Sequence, residues 1–142
     1  MSKLTAVEND VFTDVITLDY IDLQAIGNGG QSTIATIPAG GAVELVYVDE
    51  SVAFAGTTSL VIDIGTTGGD PDEFIDALDV DAMTVPVANT GDAFTAAGTT
   101  EIVSAVAADT PVLLEVTDAA IDSATAGKIT IGLRIIDARR FA

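Results

Sequence analysis

Residues 111–136 read PVLLEVTDAAIDSATAGKITIGLRII, and this stretch decides the fold. Its second half alternates, with Ile129, Ile131, Leu133 and Ile135 on one side of an extended chain and Lys128, Thr130, Gly132 and Arg134 on the other. Such period-two alternation predicts a strand with one face in a core and one in water. Residues 112–116 are apolar and valine-rich, and a turn-rich link separates the two runs. We therefore expect a long-looped antiparallel hairpin here.

More strands must lie elsewhere, because a single hairpin is only marginally stable in water. Extended, β-forming runs occur at 11–18, 32–37, 59–64, 100–107 and 42–49, the last with a continuation after a bulge to residue 55. Residues 84–87 are expected at a sheet edge, since Pro86 cannot donate a ladder hydrogen bond. One helical turn is expected at 20–26, and the pattern at 74–83 does not decide between a helical turn and an edge strand.

Short strands separated by turn residues predict an all-β fold. The apolar content is mainly aliphatic, which suits the thin interior of a β-sandwich, so we expect an antiparallel β-sandwich of seven or eight strands. A chain of 142 residues suits one domain. We expect that domain to span residues 1–142, with residues 1–10 as a loose N-terminal arm and 138–142 as a C-terminal tail.

The charge balance is extreme, with 22 acidic residues against 5 basic ones and a net charge of −17. Nucleic-acid binding is thereby excluded, because phosphate contacts need a Lys/Arg surface, and an anionic membrane is disfavoured for the same reason. An Asp-rich, Lys-poor surface favours a salt-adapted, halophilic source, the alternative being an ordinary acidic protein. The N-terminal ten residues lack the apolar core of a secretory signal, so we expect synthesis in the cytoplasm.

Enzymatic activity is not expected. The chain has neither Cys nor His, which removes thiol nucleophiles, zinc–thiolate sites and the usual base that activates a serine. Paired carboxylates are abundant, but a glycosidase site would also need aromatic platforms, and the chain has two Tyr, five Phe and no Trp.

An acidic run around residues 70–81 raises the question of a metal. Asp70, Asp72 and Glu73 are the candidate calcium ligands, since hard cations take several oxygen ligands. The EF-hand pattern fails here because no Gly occupies the sixth position. A solvated acidic loop is the favoured interpretation, so we expect no cofactor, with calcium as the alternative.

Basic residues concentrate at the C-terminal end. Arg134, Arg139, Arg140 and Phe141 form the candidate interface, because Arg and aromatic residues are enriched where proteins meet. The alternative is that the two terminal arginines, Arg139 and Arg140, pair with the acidic surface of the chain itself.

Several runs together carry a family resemblance: LDYIDLQAI at 18–26, STIATIPAGG at 32–41, VELVY at 43–47, DIG at 63–65, PVLLEV at 111–116 and GKITIGLR at 127–134. Over residues 15–136 the chain resembles small jelly-roll-like β-sandwich virion proteins of tailed bacteriophages and archaeal tailed viruses. Proteins of that kind decorate or cement the head. The chain departs from them in its acidity and at 66–99.

The resemblance implies a jelly-roll-like sandwich and a virion structural protein on the capsid surface. It implies a capsid decoration or cement protein that binds the major capsid protein lattice as a homo-oligomer such as a trimer. The alternative is a carbohydrate- or receptor-binding module of a virion appendage, which should expose Trp and Tyr platforms that this composition scarcely provides.

The net charge generates a testable prediction about salt. Crowding carboxylates onto a small fold costs self-repulsion that the unfolded chain partly escapes. The screening length falls from about 30 Å at 0.01 M to about 3 Å at 1 M ionic strength. We expect the Tm, followed by circular dichroism in sodium chloride, to rise across that range. A flat Tm would contradict the salt-adapted interpretation, and a shift specific to millimolar calcium would indicate a divalent site.

Overall fold

The computed structural model describes residues 12–95 and 105–137, and predictions about residues 1–11, 96–104 and 138–142 lie outside it. Strands form where the sequence alternates or is β-branched. The described residues form eight of them: β1 (Asp14–Asp19), β2 (Gly30–Ile37), β3 (Gly41–Ala55), β4 (Val61–Gly65), β5 (Ile75–Asp79), β6 (Val87–Ala88), β7 (Thr110–Thr117) and β8 (Ala126–Asp137). Two short α-helices, α1 (Tyr20–Ile26) and α2 (Asp92–Thr95), and two one-turn 3-10 helices, Val80–Ala82 and Ile121–Ser123, occupy the connections.

The strands build two four-stranded sheets, and every pairing between them is antiparallel. Sheet A has the order β1-β8-β3-β6 and sheet B has the order β2-β7-β4-β5. The pairs β1–β8, β2–β7, β3–β6 and β4–β5 are nested, as in one long hairpin rolled around a core. This rolled arrangement is a jelly roll, so the predicted all-β sandwich is confirmed.

The predicted β7–β8 hairpin is wrong. β7 pairs with β2 and β4 in sheet B, whereas β8 pairs with β1 and β3 in sheet A. Alternation fixes which side of a strand is buried, but it does not identify the strand's partner. The turn-rich link is an arch that carries the chain from one sheet to the other.

The core lies between the inner faces of the two sheets. Ile129, Ile131 and Leu133 are fully buried, as the alternation predicts, and Ile135 is partly buried against the same cluster. Other strands contribute their inward positions in the same way, with Val43, Val46, Val48, Ile62, Ile64, Val112, Leu114 and Val116 all fully buried. The aliphatic content of the sequence is therefore concentrated in a layer between the sheets.

Helix α1 closes one end of the sandwich. The Asp19 carboxylate accepts a hydrogen bond from the Asp22 backbone N–H, and the Asp22 carboxylate accepts one from the Asp19 backbone N–H, which forms a capping box. Leu23 is fully buried, and the Gln24 amide donates to the carbonyls of Ile121, Asp122 and Ala124. The expected helical turn at 20–26 is thus present, and it is tied to the β7–β8 arch.

Asp118 organises the start of that arch. It is the buried charged residue of the described part, at 4% exposure. Its carboxylate accepts hydrogen bonds from the backbone N–H groups of Thr58 and Ala120, at 3.2 and 2.9 Å, and its own N–H donates to the Asn28 side chain at 3.0 Å. Through its side chain and its backbone N–H, Asp118 therefore links its own loop to the loops that contain Thr58 and Asn28.

Other local predictions meet mixed outcomes. The continuation of β3 after a bulge is confirmed by register shifts near Val52. The edge strand predicted at 84–87 corresponds to the short edge strand β6, which begins after Pro86 at Val87. Residues 74–83 hold both candidate elements in the order strand then 3-10 turn, with β5 at a sheet edge. Residues 105–107, the described end of the predicted 100–107 strand, are not extended into a strand.

The core assignment predicts the cost of truncating Ile131. This side chain is fully buried between Ile16 and Val48 of the neighbouring strands. Ile131→Ala should lower the free energy of unfolding by about 2–5 kcal/mol in chemical denaturation. The control Lys128→Ala, at an exposed position of the same strand, should stay within about 0.5 kcal/mol of wild type. Equal effects of the two substitutions would contradict the register of β8.

Candidate functional site

The outer face of sheet A carries the basic residues of the described part. Lys128 and Arg134 occupy outward positions of β8, alternating with the buried isoleucines. Lys128 is in register with Asp19 of β1 and Val52 of β3, and it is exposed. Both positive charges on this part of an acidic chain therefore lie on one face.

Arg134 forms an ion pair on that face. Its Nε lies 3.4 Å from Oε2 of Glu44, and both side chains are 42% exposed. Such an exposed pair contributes little to stability, about 0–1 kcal/mol. Arg134 thus pairs with an acid of its own chain. Arg139, Arg140 and Phe141 lie outside the described residues, and their interface role stays a prediction.

Two aromatic rings lie beside these charges. Phe12 covers Gly132, where a Cβ atom would collide with the ring, and its centroid is 5.5 Å from that of Tyr47. Glycine in a central strand leaves a gap that a neighbouring ring can fill. Burial, followed by repulsion from Asp49, raises the pKa of Tyr47 above its ordinary value. Its hydroxyl therefore stays neutral at physiological pH.

Exposed apolar side chains also favour sheet A. Val15 on β1 is 57% exposed and Val52 on β3 is 46% exposed, and Val85 in the segment leading to β6 is 68% exposed. The remaining large exposed hydrophobic residue in the described part is Ile21 of α1. None of these residues lies on sheet B.

The outer face of sheet B is acidic. Glu115 accepts a 2.6 Å hydrogen bond from Gln31 across the β2–β7 pair, and Asp63 of β4 is the neighbouring carboxylate. Burial raises the pKa of Asp63, and the charges of Asp76, Glu115 and Asp70 add to that effect. The Ala77 N–H donates to Asp63 at 2.6 Å, which opposes the rise and supports the left-handed backbone of Ala77 (φ 47°).

The loop between β4 and β5 contains the three candidate calcium ligands. Glu73 accepts hydrogen bonds from the Thr66 N–H at 2.9 Å and from the Thr67 hydroxyl. Burial acts to raise the pKa of Glu73, but these hydrogen bonds outweigh it, and the net pKa is lowered. The Glu73 carboxylate is thereby committed to closing its own loop.

Asp70 and Asp72 lie earlier in the same loop. Partial burial and the negative charges of Asp70 and Asp92 raise the pKa of Asp72. Within residues 12–95 and 105–137, no group of three or more His, Cys, Asp or Glu side chains is arranged to hold a metal. The calcium alternative stays a prediction, which the salt-matched melts described above address.

Sequence reasoning missed the contribution of Val15, Tyr47 and Val52 to one face. The signal was present at Val15, because it alternates with the core residues Ile16 and Leu18 and so had to point outward. Tyr47 and Val52 could not be placed beside it without the β1-β8-β3 order. No helix in the described residues is both long and apolar enough to cross a bilayer.

Opposite pKa shifts at Glu73 and Asp63 predict opposite pH behaviour. Because the folded pKa of Glu73 lies below its unfolded value of about 4.3, its stabilisation is present above that pH and is lost as pH falls through the folded pKa. Glu73→Gln should therefore lower the free energy of unfolding by about 1 kcal/mol at pH 7, a value that allows for solvent screening of the partly exposed Glu73 side chain. The loss should be smaller at pH 3.

Asp63→Asn is the matched control for that series. The folded pKa of Asp63 is raised, so its ionisation opposes folding once the pH passes its unfolded value. The Asn variant should gain stability relative to wild type between pH 3 and pH 7, whereas Glu73→Gln should lose it. Urea denaturation at both pH values measures this. Parallel pH profiles for the two variants would contradict the assigned environments.

Comparisons with known proteins give one structural match. No protein-family model matches the chain, and no curated protein matches it by sequence. Among solved structures, the chain is similar to a chain of the cyanophage Pam1 capsid asymmetric unit, with a TM-score of 0.57 and 14% sequence identity. The match covers 84% of this chain and 79% of that chain. At this identity the two chains share a fold.

Proposed function

We propose that this protein is a virion structural protein of a tailed virus, and specifically a head decoration (cement) protein that binds the major capsid protein lattice. The observation that carries the proposal is the match to a chain of the cyanophage Pam1 capsid asymmetric unit. Because the match covers most of both chains, it relates the whole sandwich and not a single shared motif.

The mechanism we propose is adhesive. Subunits clustered as a homo-oligomer, for example a trimer, bridge neighbouring capsomers and add contact area that resists internal pressure. A standard interface buries about 800 Å² on each partner. The surface of this chain totals 7429 Å², so about a tenth of it suffices for such an interface.

The C-terminal tail extends this proposal. β8 ends at Asp137, and Arg139, Arg140 and Phe141 follow it directly. Their residue types suit an interface, so we assign them to capsid or subunit contacts. Arg134 belongs to the same basic end, with its charge shared by Glu44.

Labelling of purified virions tests the proposed function. Antibodies raised against the chain should decorate the head at regular positions in negative-stain images. Antibodies pre-absorbed with the purified chain are the control and should leave the particles bare. Label confined to the neck, tail or a fibre would refute the decoration role and favour the receptor-binding alternative. Absence of the chain from purified particles would refute a virion role altogether.

A further inference from the structure

We propose that the outer face of sheet A is the surface that docks on the head shell, and that it fits a partner surface with an apolar centre and a carboxylate rim. This inference rests on the proposed function and names the face that performs it. The opposite face, on sheet B, then points toward solvent.

Charge separates the two faces. Lys128 and Arg134, the basic residues of the described part, both lie on the outer face of sheet A. Sheet B instead gathers Asp63, Asp76 and Glu115 closely enough that repulsion helps to raise the pKa of Asp63. On the sheet A face these two cations partly offset the carboxylates of Asp19, Glu44 and Asp49, whereas the described part of sheet B has no basic residue beside its carboxylates. An acidic partner is therefore repelled less by sheet A than by sheet B, and an electrostatic difference of this kind selects the docking orientation.

Apolar exposure separates them in the same direction. Val15 and Val52 are the exposed large hydrophobic residues within strands of the described part, and both belong to sheet A. Phe12 and Tyr47 add aromatic surface beside Val15, in the Val15–Gly132–Tyr47 register, while Val52 lies next to Lys128 two registers away. A cluster of apolar side chains rimmed by charge is typical of a binding surface.

Short side chains occupy the middle register of the face. Three registers cross it from β1 through β8 to β3: Asp19–Lys128–Val52, Thr17–Thr130–Asp49 and Val15–Gly132–Tyr47. Ser51 and Thr130 join hydroxyls at 3.0 Å, which holds part of the middle register in place. Short, already ordered side chains lose little conformational entropy when a partner covers them.

A second copy of this chain is a poorer occupant of the face. Its acidic complement would be sheet B of the next copy, but the two faces lie on opposite sides of one sandwich. Pairing them head to tail would produce an open stack, not a closed cluster. Placing two sheet A faces together would bring like basic residues toward one another within an assembly of two chains of charge −17 each. The shell remains as the occupant.

Two threonines provide a matched test. Thr17 on β1 and Thr33 on β2 are both exposed positions of edge strands, Thr17 on the outer face of sheet A and Thr33 on that of sheet B. Thr17→Glu and Thr33→Glu make the same substitution with the same charge change. Binding would be measured by co-sedimentation with empty shells assembled from the major capsid protein of the same virus.

Thr17→Glu should weaken shell binding at least about tenfold, because it opposes a carboxylate to an acidic partner, whereas Thr33→Glu should bind within about twofold of wild type. Lys128→Glu should also weaken binding by removing the positive charge from the face. Thermal melts and sedimentation velocity confirm that each variant keeps its fold and its oligomeric state.

Each outcome bears on one claim. Wild-type protein that fails to bind shells refutes the proposed function, whichever face is involved. Wild-type binding with equal affinities for Thr17→Glu and Thr33→Glu, whether retained or lost together, overturns the assignment of the face. Loss confined to Thr33→Glu assigns docking to sheet B. Oligomer dissociation in Thr17→Glu makes the face a contact between copies, which also overturns the proposal.

Discussion

The pairing of the first described strand with the last is the constraint on which the rest of the structure depends. β8 lies between β1 and β3, so residues 128–133 must pair with residues 14–19 before sheet A exists. The other nested pairs, β2–β7, β3–β6 and β4–β5, then follow inward to the tip of the rolled hairpin. Such non-local pairing requires the chain to lose loop-closure entropy before the stabilising contacts form. Slow folding is therefore typical of this topology.

The sequence predicted strands well and their partners poorly, for a physical reason. Alternation in β8 located Ile129, Ile131 and Leu133 in the core, because a strand buried on one face must place apolar residues at every second position. The partner of a strand depends on where its connections lead. The β7–β8 link reads as hairpin turn material, yet the buried carboxylate of Asp118 and the Gln24 amide hold it as an arch between the sheets. Thr58 is distant in sequence from Asp118, and the 121–124 turn is distant in sequence from Gln24.

The acidic residues fall into two groups with different roles, and the number of acidic residues alone does not distinguish them. One group, within residues 12–95 and 105–137, accepts hydrogen bonds from backbone N–H groups in turns, caps and strand irregularities: Asp19, Asp22, Glu50, Asp63, Glu73, Asp81, Asp109 and Asp118. These groups satisfy donors that loops would otherwise leave unpaired. Others, such as Asp76 beside Asp63, act mainly through their charge. Part of the acidic composition that resembles salt adaptation therefore has a structural role in the loops.

The two faces of the sandwich differ in chemistry, and one strand specifies much of that difference. The inward residues of β8 hold the sheets together, while its outward residues, Lys128, Thr130, Gly132 and Arg134, form the centre of the sheet A face. Changing the register of β8 by one position would exchange the two sets and abolish both the core and the face. The stretch that decides the fold thus also decides the chemistry of the face that we propose as the docking surface. Gly132 shows most directly how the core-forming strand and that face are linked. Its missing side chain admits the Phe12 ring, which covers the strand and enlarges the apolar surface in a single contact.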